Sequence, residues 1–288
     1  MRGINLEGAV DGRLGEQHLD VVREAGFDLV RVPVKWHPNV FDVVDRALAT
    51  ALDRGFDVVL TVHHFDDPDG QASELLALWD RIARRYADAH PRLAFELLNE
   101  PHPPLTAARW NALLPDVLAV VRASNPERTA IAGPVLWNTV DGLPELEPPA
   151  DDHLVATVHY YSPFAFTHQG AHWLPEAAEW RDVGWGSDAD RARVRADLEG
   201  AAAWAVARGV PLFLGEFGVV EHADMAARAD WTRTVRTEAE RLGLDWCYWD
   251  LATDFGAYDL TADAWREPLR DALLGPDVEN ARPAPTSS

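Results

Sequence analysis

Eight short apolar runs, separated by longer amphipathic stretches, recur along this chain, and no other feature limits its fold as strongly. The runs lie near Gly3–Glu7, Asp28–Val34, Asp57–His63, Leu93–Asn99, Thr129–Gly133, Leu154–Tyr160, Pro211–Glu216 and Asp245–Asp250. Continuous apolar runs of this length suit strands buried on both faces, as in a parallel sheet. Between them the apolar pattern predicts helices over Glu16–Ala25, Phe41–Arg54, Ser73–His90, Thr106–Ser124, Asp188–Arg208, Ala223–Leu242 and Asp263–Leu274. Gly26, Gly55, Pro91, Pro126, Gly209, Gly243 and Gly275 stand just past the helix ends, where a stop signal is expected. The Pro-rich stretch Asn138–Asp152 has room for a short helix only.

Strands alternating with helices imply a parallel sheet with crossover helices. Eight such units predict closure into a single (β/α)8 TIM barrel of the α/β class. A barrel needs ~250 residues, and this chain has 288. The barrel is assigned to residues 1–276, and residues 277–288, which include Pro283 and Pro285, are read as a disordered tail. The alternative is an open doubly wound sheet. No Gly-x-Gly-x-x-Gly follows the first strand, which weighs against a dinucleotide-binding version of it.

Charge narrows the partners. A formal charge of -21 argues against nucleic acid, which requires a basic surface. It argues equally against anionic membranes and polyanionic substrates, and leaves a neutral ligand as the natural complement. Cys247 is the single cysteine, so no intrachain disulfide forms, and it reads as a small core residue. No apolar run reaches the ~18 residues of a membrane span. The first residues lack the apolar core of a signal peptide and enter strand-like sequence directly. The protein is therefore expected to be cytoplasmic, or secreted with a leader that lies outside this sequence. It is read as a monomer.

Active sites of (β/α)8 barrels form where the strands end. The second run carries Arg31, and the third ends in His63-His64. The fourth ends in Asn99-Glu100-Pro101, and the fifth leads to Trp137-Asn138. The sixth ends in His159-Tyr160-Tyr161, the seventh in Glu216-Phe217-Gly218, and the eighth in Trp249-Asp250. Any one of these has a structural explanation, such as a core histidine or a helix-capping glutamate. Their joint placement on one face points to a shared site.

Two carboxylates on the fourth and seventh strands face each other across such a mouth. Glycoside cleavage requires a pair of this kind. One carboxylic acid protonates the leaving oxygen, and the other, ionised, attacks the anomeric carbon. The two must therefore titrate differently. Arg31 favours the charged form of Glu216, and Tyr161 is placed to donate a hydrogen bond to it. Asn99 offers a donor for a sugar 2-hydroxyl. Sugar rings stack their C–H faces on aromatic rings, and of the 12 tryptophans, Trp137, Trp173 and Trp249 lie at or beyond strand ends. Trp79, Trp110, Trp204 and Trp231 fall in helices and read as packing.

Leu98-Asn99-Glu100-Pro101 resembles the acid/base motif of family 5 glycoside hydrolases, and Leu214-Gly215-Glu216-Phe217-Gly218 resembles their nucleophile motif. Arg31, His63, His159, Tyr161 and Trp249 are similar to the family's remaining common site positions, each on its expected strand. The stretch from His159 to Trp173, with Ala257-Tyr258-Asp259, resembles a bacterial subgroup of endo-β-glucanases that also cleave mannans. That resemblance implies a retaining endo-1,4-β-glucanase with Glu100 as acid/base and Glu216 as nucleophile. It implies sugar contacts at His64, Trp137, His168 and Trp173, and β-glucan, glucomannan or mannan as substrate. No cofactor or metal is required by this chemistry. Two departures stand out: Glu7-Gly8 replaces the subgroup's usual Gly-Asn, and the Lys35–Val40 segment is short. Both fall on glycone-side loops and leave an exo-acting β-glucosidase or a dedicated β-mannanase as alternatives. A metal-dependent barrel hydrolase using His63, His64, His159 and Asp250 is a further rival. It lacks the His-x-His pair expected on the first strand. A sugar-binding barrel without turnover is the last, and the presence of both glutamates weighs against it.

Overall fold

The computed structural model describes residues 1–65, 67, 68 and 70–275, so the tail assigned to 277–288 lies outside the described residues. Eight parallel strands close into a barrel in sequence order: β1 (Arg2–Asn5), β2 (Leu29–Lys35), β3 (Asp57–His63), β4 (Leu93–Glu96), β5 (Ala130–Ala132), β6 (Leu154–Tyr160), β7 (Leu212–Phe217) and β8 (Asp245–Tyr248). Closure is made by β1 against β8, with Gly3 opposite Cys247. The helices that return the chain are α1 (Glu16–Ala25), α2 (Phe41–Asp53), α3 (Ala72–Arg85), α4 (Ala107–Arg122), α5 (Phe164–Thr167), α6 (Asp188–Arg208), α7 (Met225–Arg241) and α8 (Glu267–Leu274).

Local chemistry sets the helix ends. Thr106 caps α4 by accepting from the Arg109 N–H at 3.3 Å. Ser187 and Asp190 form a reciprocal capping box at α6, and Gly209 closes that helix at φ 67°. The Pro-rich stretch after β5 holds one short 3-10 helix, Val140–Glu145. Two helix boundaries differ from the periodicity by more than two residues. α3 stops at Arg85 rather than His90, and the Arg128 guanidinium then takes the carbonyls of Tyr86, Ala89 and His90 at 2.9–3.1 Å. That side chain satisfies groups a longer helix would have paired. Ala264–Trp265 pairs antiparallel with Tyr258–Asp259, so α8 begins at Glu267 rather than Asp263.

The strand interior is layered. Leu29, Val59, Ile131, Phe213 and Cys247 form a small apolar plug inside the barrel, separate from the larger core between strands and helices. A Cβ on Gly3 would meet the Cys247 sulfur at 2.3 Å, so the buried thiol fills the space that glycine leaves. Two residues further along, on the same inward face, stand Asn5, Arg31, Thr61, Glu96 and Thr157, all fully buried. A polar layer thus sits on an apolar plug, and the functional side chains rise above it.

Candidate active site

The site is built around Arg31, whose guanidinium is fully buried and completely engaged. Its Nε donates to Glu96 Oε2 at 2.5 Å and Nη2 to Glu96 Oε1 at 3.1 Å, a two-pronged pair. Nη1 donates to Glu216 Oε1 at 2.6 Å and to Asn5 Oδ1 at 2.8 Å, and Nη2 to Asn99 Oδ1 at 2.7 Å. Glu96 and Asn5 were not among the expected site residues. The signal was present: a glutamate inside the apolar run Leu93–Asn99 must have a buried cation to face.

Glu216 reaches this network through an irregularity in β7. The β6–β7 register shifts after Val158, so that His159 pairs with Glu216 and Gly215 is the extra residue. Such a bulge re-aims the side chain that follows it. Only glycine fits there, because a Cβ on residue 215 would meet Thr157 Oγ1 at 2.8 Å. Glu216 Oε2 accepts from Tyr161 Oη at 2.8 Å.

Glu100 lies just beyond β4 at φ 47°, a left-handed conformation that a glutamate adopts only under constraint. His159 Nδ1 is 2.8 Å from Glu100 Oε1 and 3.4 Å from Glu216 Oε2. Asn138 Nδ2 lies 3.4 Å from His159 Nε2, and the other ring nitrogen, Nδ1, faces the carboxylates. A donor atom from each of Glu100, His159 and Glu216 lies within 4.8 Å of the other two.

Electrostatics separate the two glutamates. Burial pushes Glu100 up to about 7, against the lowering pull of Arg31 and His102. Its side chain keeps 27% exposure, opening onto the cleft, so a sugar that fills the cleft strengthens the effect. Burial also lifts Glu216 above the ordinary carboxylate range, but His159, Arg31 and the Tyr161 hydroxyl draw it back toward the charged form. Burial lowers His159 to about 4, so its imidazole is neutral at pH 7. The Tyr161 hydroxyl is pushed well above 10 and remains a donor throughout the working range.

The expected flanking residues fall into two groups. On one side His63 stacks on Trp249, ring centroids 5.6 Å apart and planes 6° from parallel, with His64 4.4 Å from His63. A cavity of about 180 Å³ adjoins them, lined by Trp36, Phe41, His63, His64 and Phe65 among others. On the other side Trp137 is 48% exposed and lies flat on His102, 5.6 Å away. His102 Nδ1 in turn bonds the Glu100 carbonyl at 2.7 Å, which makes it a third supporting residue outside the expected set, after Glu96 and Asn5. Leu136, Trp137 and Asn138 all have positive φ, which turns Trp137 out and Asn138 inward. His168 does not reach the carboxylates. It is buried behind Tyr161, 5.0 Å between centroids, and packs against Phe164 and Phe255. Trp173 is 44% exposed beside Phe255, 6.0 Å away. Of the tryptophans expected to pack in helices, Trp79, Trp110 and Trp231 are fully buried and Trp204 is half-buried against the core.

A closed (β/α)8 barrel with one glutamate just beyond β4, bonded to His159, and a second, buried at the end of β7 and held by Arg31, defines a class of hydrolytic barrels. The family model for cellulase, glycosyl hydrolase family 5, matches residues 2–254, and the chain belongs to that family and is a glycoside hydrolase. Endoglucanase C of Acetivibrio thermocellus is 27% identical over 94% of this chain and 96% of its own length. Endoglucanase H of the same species is 27% identical, and there the chain spans only 31% of the relative. Among solved structures, Thermotoga maritima Cel5A with cellobiose superposes with a TM-score of 0.90 at 34% identity, covering 94% of this chain and 96% of that one. The cellulose synthase subunit Z of Clostridioides difficile gives 0.91 at 32% identity, covering 95% and 99%. Among the described residues no helix is long and apolar enough to cross a membrane.

Proposed function

We propose that the chain is a retaining endo-1,4-β-glucanase, with Glu216 as nucleophile and Glu100 as acid/base. The observation that carries this reading is the short separation of the pair: carboxylate oxygens of Glu100 and Glu216 lie within 4.8 Å. Double displacement works with carboxyl groups about 5–5.5 Å apart, whereas inversion needs about 6.5–9.5 Å to seat a water. Glu216, held by Arg31 and Tyr161, attacks the anomeric carbon and forms a glycosyl ester. Glu100, protonated near neutrality, delivers its proton to the departing oxygen. Once Glu216 is esterified, the negative charge beside Glu100 is gone. Its pKa falls, and it can take a proton from the water that cleaves the ester. Asn99 Oδ1 is bound to Arg31, which aims its amide N–H into the cleft for a sugar 2-hydroxyl.

Sugar contacts are assigned to His63, His64 and Trp249 on the glycone side and to Trp137 and Trp173 as exposed platforms. His168 is assigned a supporting place behind Tyr161. β-Mannan is a second substrate on this reading, because the Thermotoga maritima Cel5A structure was also solved with mannotriose, at 34% identity. Hydrolysis of carboxymethyl-cellulose, barley β-glucan, glucomannan, mannan and an aryl β-glucoside, with product lengths read by chromatography, tests the proposal. Mixed short oligosaccharides from the glucans are expected. Activity on the aryl glucoside alone, or release of single sugars throughout, would mean exo action and a closed glycone side.

A further inference from the structure

We infer that Glu7, His63 and His64 form a binding site for one divalent transition-metal ion of the zinc type, and that the ion competes with sugar for the glycone side of the cleft. A donor atom from each of the three residues lies within 4.8 Å of the other two. Two imidazoles and one carboxylate, with further coordination positions open to water, make a ligand set that zinc accepts. The geometry is unusual for sequence neighbours. In a continuing strand His63 and His64 would point to opposite faces. His64 instead takes a left-handed backbone, φ 55°, which brings its ring to 4.4 Å from that of His63.

A second, independent observation is the His63 ring nitrogen. His63 Nδ1 is buried and has no hydrogen-bond partner, on a residue only 6% exposed. A buried nitrogen without a partner is costly, and a ligand satisfies it. Stacking against Trp249 fixes the ring plane. Glu7 follows β1, where Gly8 turns the chain at φ 104°. Arg13 holds Glu7 Oε1 at 3.2 Å, an exposed pair that a cation displaces easily. His64 is exposed, so an ion can reach the site from solvent.

The other histidine–carboxylate cluster, Glu100, His159 and Glu216, suits a cation less well. Glu216 already accepts from Arg31 and Tyr161, and the Arg31 charge stands 2.6 Å from its carboxylate. The metal-binding part of the inference stands on geometry alone. The competition part rests on the glycosidase reading above.

Titration of the intact protein with zinc chloride in a calorimeter, at pH 7.5 and without sugar, tests the first part. One ion per chain is expected. Glu7→Gln and His64→Ala should each weaken binding by roughly tenfold or more, since even the outer partners of a metal ligand are worth 10–100-fold. Both positions reach solvent, and unchanged circular dichroism confirms that each variant is folded. No binding, or equal affinity in wild type and both variants, would overturn the site. So would binding lost in Glu216→Gln and kept in Glu7→Gln, which would place the ion between the catalytic carboxylates. For the second part, zinc should raise KM for an aryl β-cellobioside while leaving kcat unchanged. Zinc binding through Glu7 with no effect on KM would leave the metal site standing and overturn its placement in the sugar cleft.

Discussion

Replacing Tyr161 by phenylalanine removes one hydroxyl and leaves the ring packing against His168 and Phe255 in place. The lost interaction is the 2.8 Å hydrogen bond from Tyr161 Oη to Glu216 Oε2. A hydrogen bond to a charged group is worth about 1.5–3 kcal/mol. It favours the ionised form, so its loss raises the Glu216 pKa further. Activity requires Glu216 ionised, so the acid limb of the kcat/KM profile moves to higher pH. At the optimum, kcat/KM falls by about 10- to 100-fold. The assay is kcat/KM on an aryl β-cellobioside from pH 4 to 9. The Tyr161 phenol titrates well above this range, so its own ionisation does not enter. A fall of less than about threefold with an unmoved acid limb would refute the role given to this hydroxyl.

Three further outcomes are expected. Glu96→Gln replaces the charged, two-pronged partner of the buried Arg31 by a neutral amide while the Glu216 pair remains, and should cost about 1.5–3 kcal/mol in urea unfolding. Gly215→Ala places a Cβ 2.8 Å from Thr157 Oγ1, so the bulge must shift. Thermal unfolding should show a loss of about 1–3 kcal/mol, and kcat should fall further than that loss explains, because Glu216 is re-aimed. Glu100→Gln should stabilise the protein at pH 8. The carboxyl titrates at about 7 when folded against 4.5 ordinarily, so the folded state holds its proton longer, and stability is lost as pH rises from 4.5 through 7. The glutamine variant escapes a penalty of up to about 3 kcal/mol, reduced by the partial exposure of the side chain. The difference in Tm should vanish below pH 4.5.

The barrel was readable because nearly every β/α unit carries its own local signal, an apolar run followed by an amphipathic stretch that a glycine or proline closes. Where a boundary was misread, a distant side chain or strand had replaced the local signal. Arg128 takes over the carbonyls beyond α3, and Tyr258–Asp259 claims Ala264–Trp265 as a partner strand. The expected catalytic glutamates, Arg31, Asn99, His159 and Tyr161 converge, because strand ends of a closed barrel point to one mouth. Asn5, Glu96 and His102 were missed for a different reason. Each acts on another side chain rather than facing the cleft as a charged or aromatic group. Glu96 alone left a visible mark, a carboxylate inside an apolar run. The bulge at Gly215 left none, because it is defined only by the register of β6 against β7.

The central claim is that Glu216 forms a covalent bond to the sugar. Incubation with a 2-deoxy-2-fluoro-β-cellobioside bearing an activated leaving group, followed by peptide mapping by mass spectrometry, tests it most directly. The account predicts one fluorocellobiosyl group per chain, on the peptide that contains Glu216. Label on Glu100, or no label with release of the α-configured product, would contradict it.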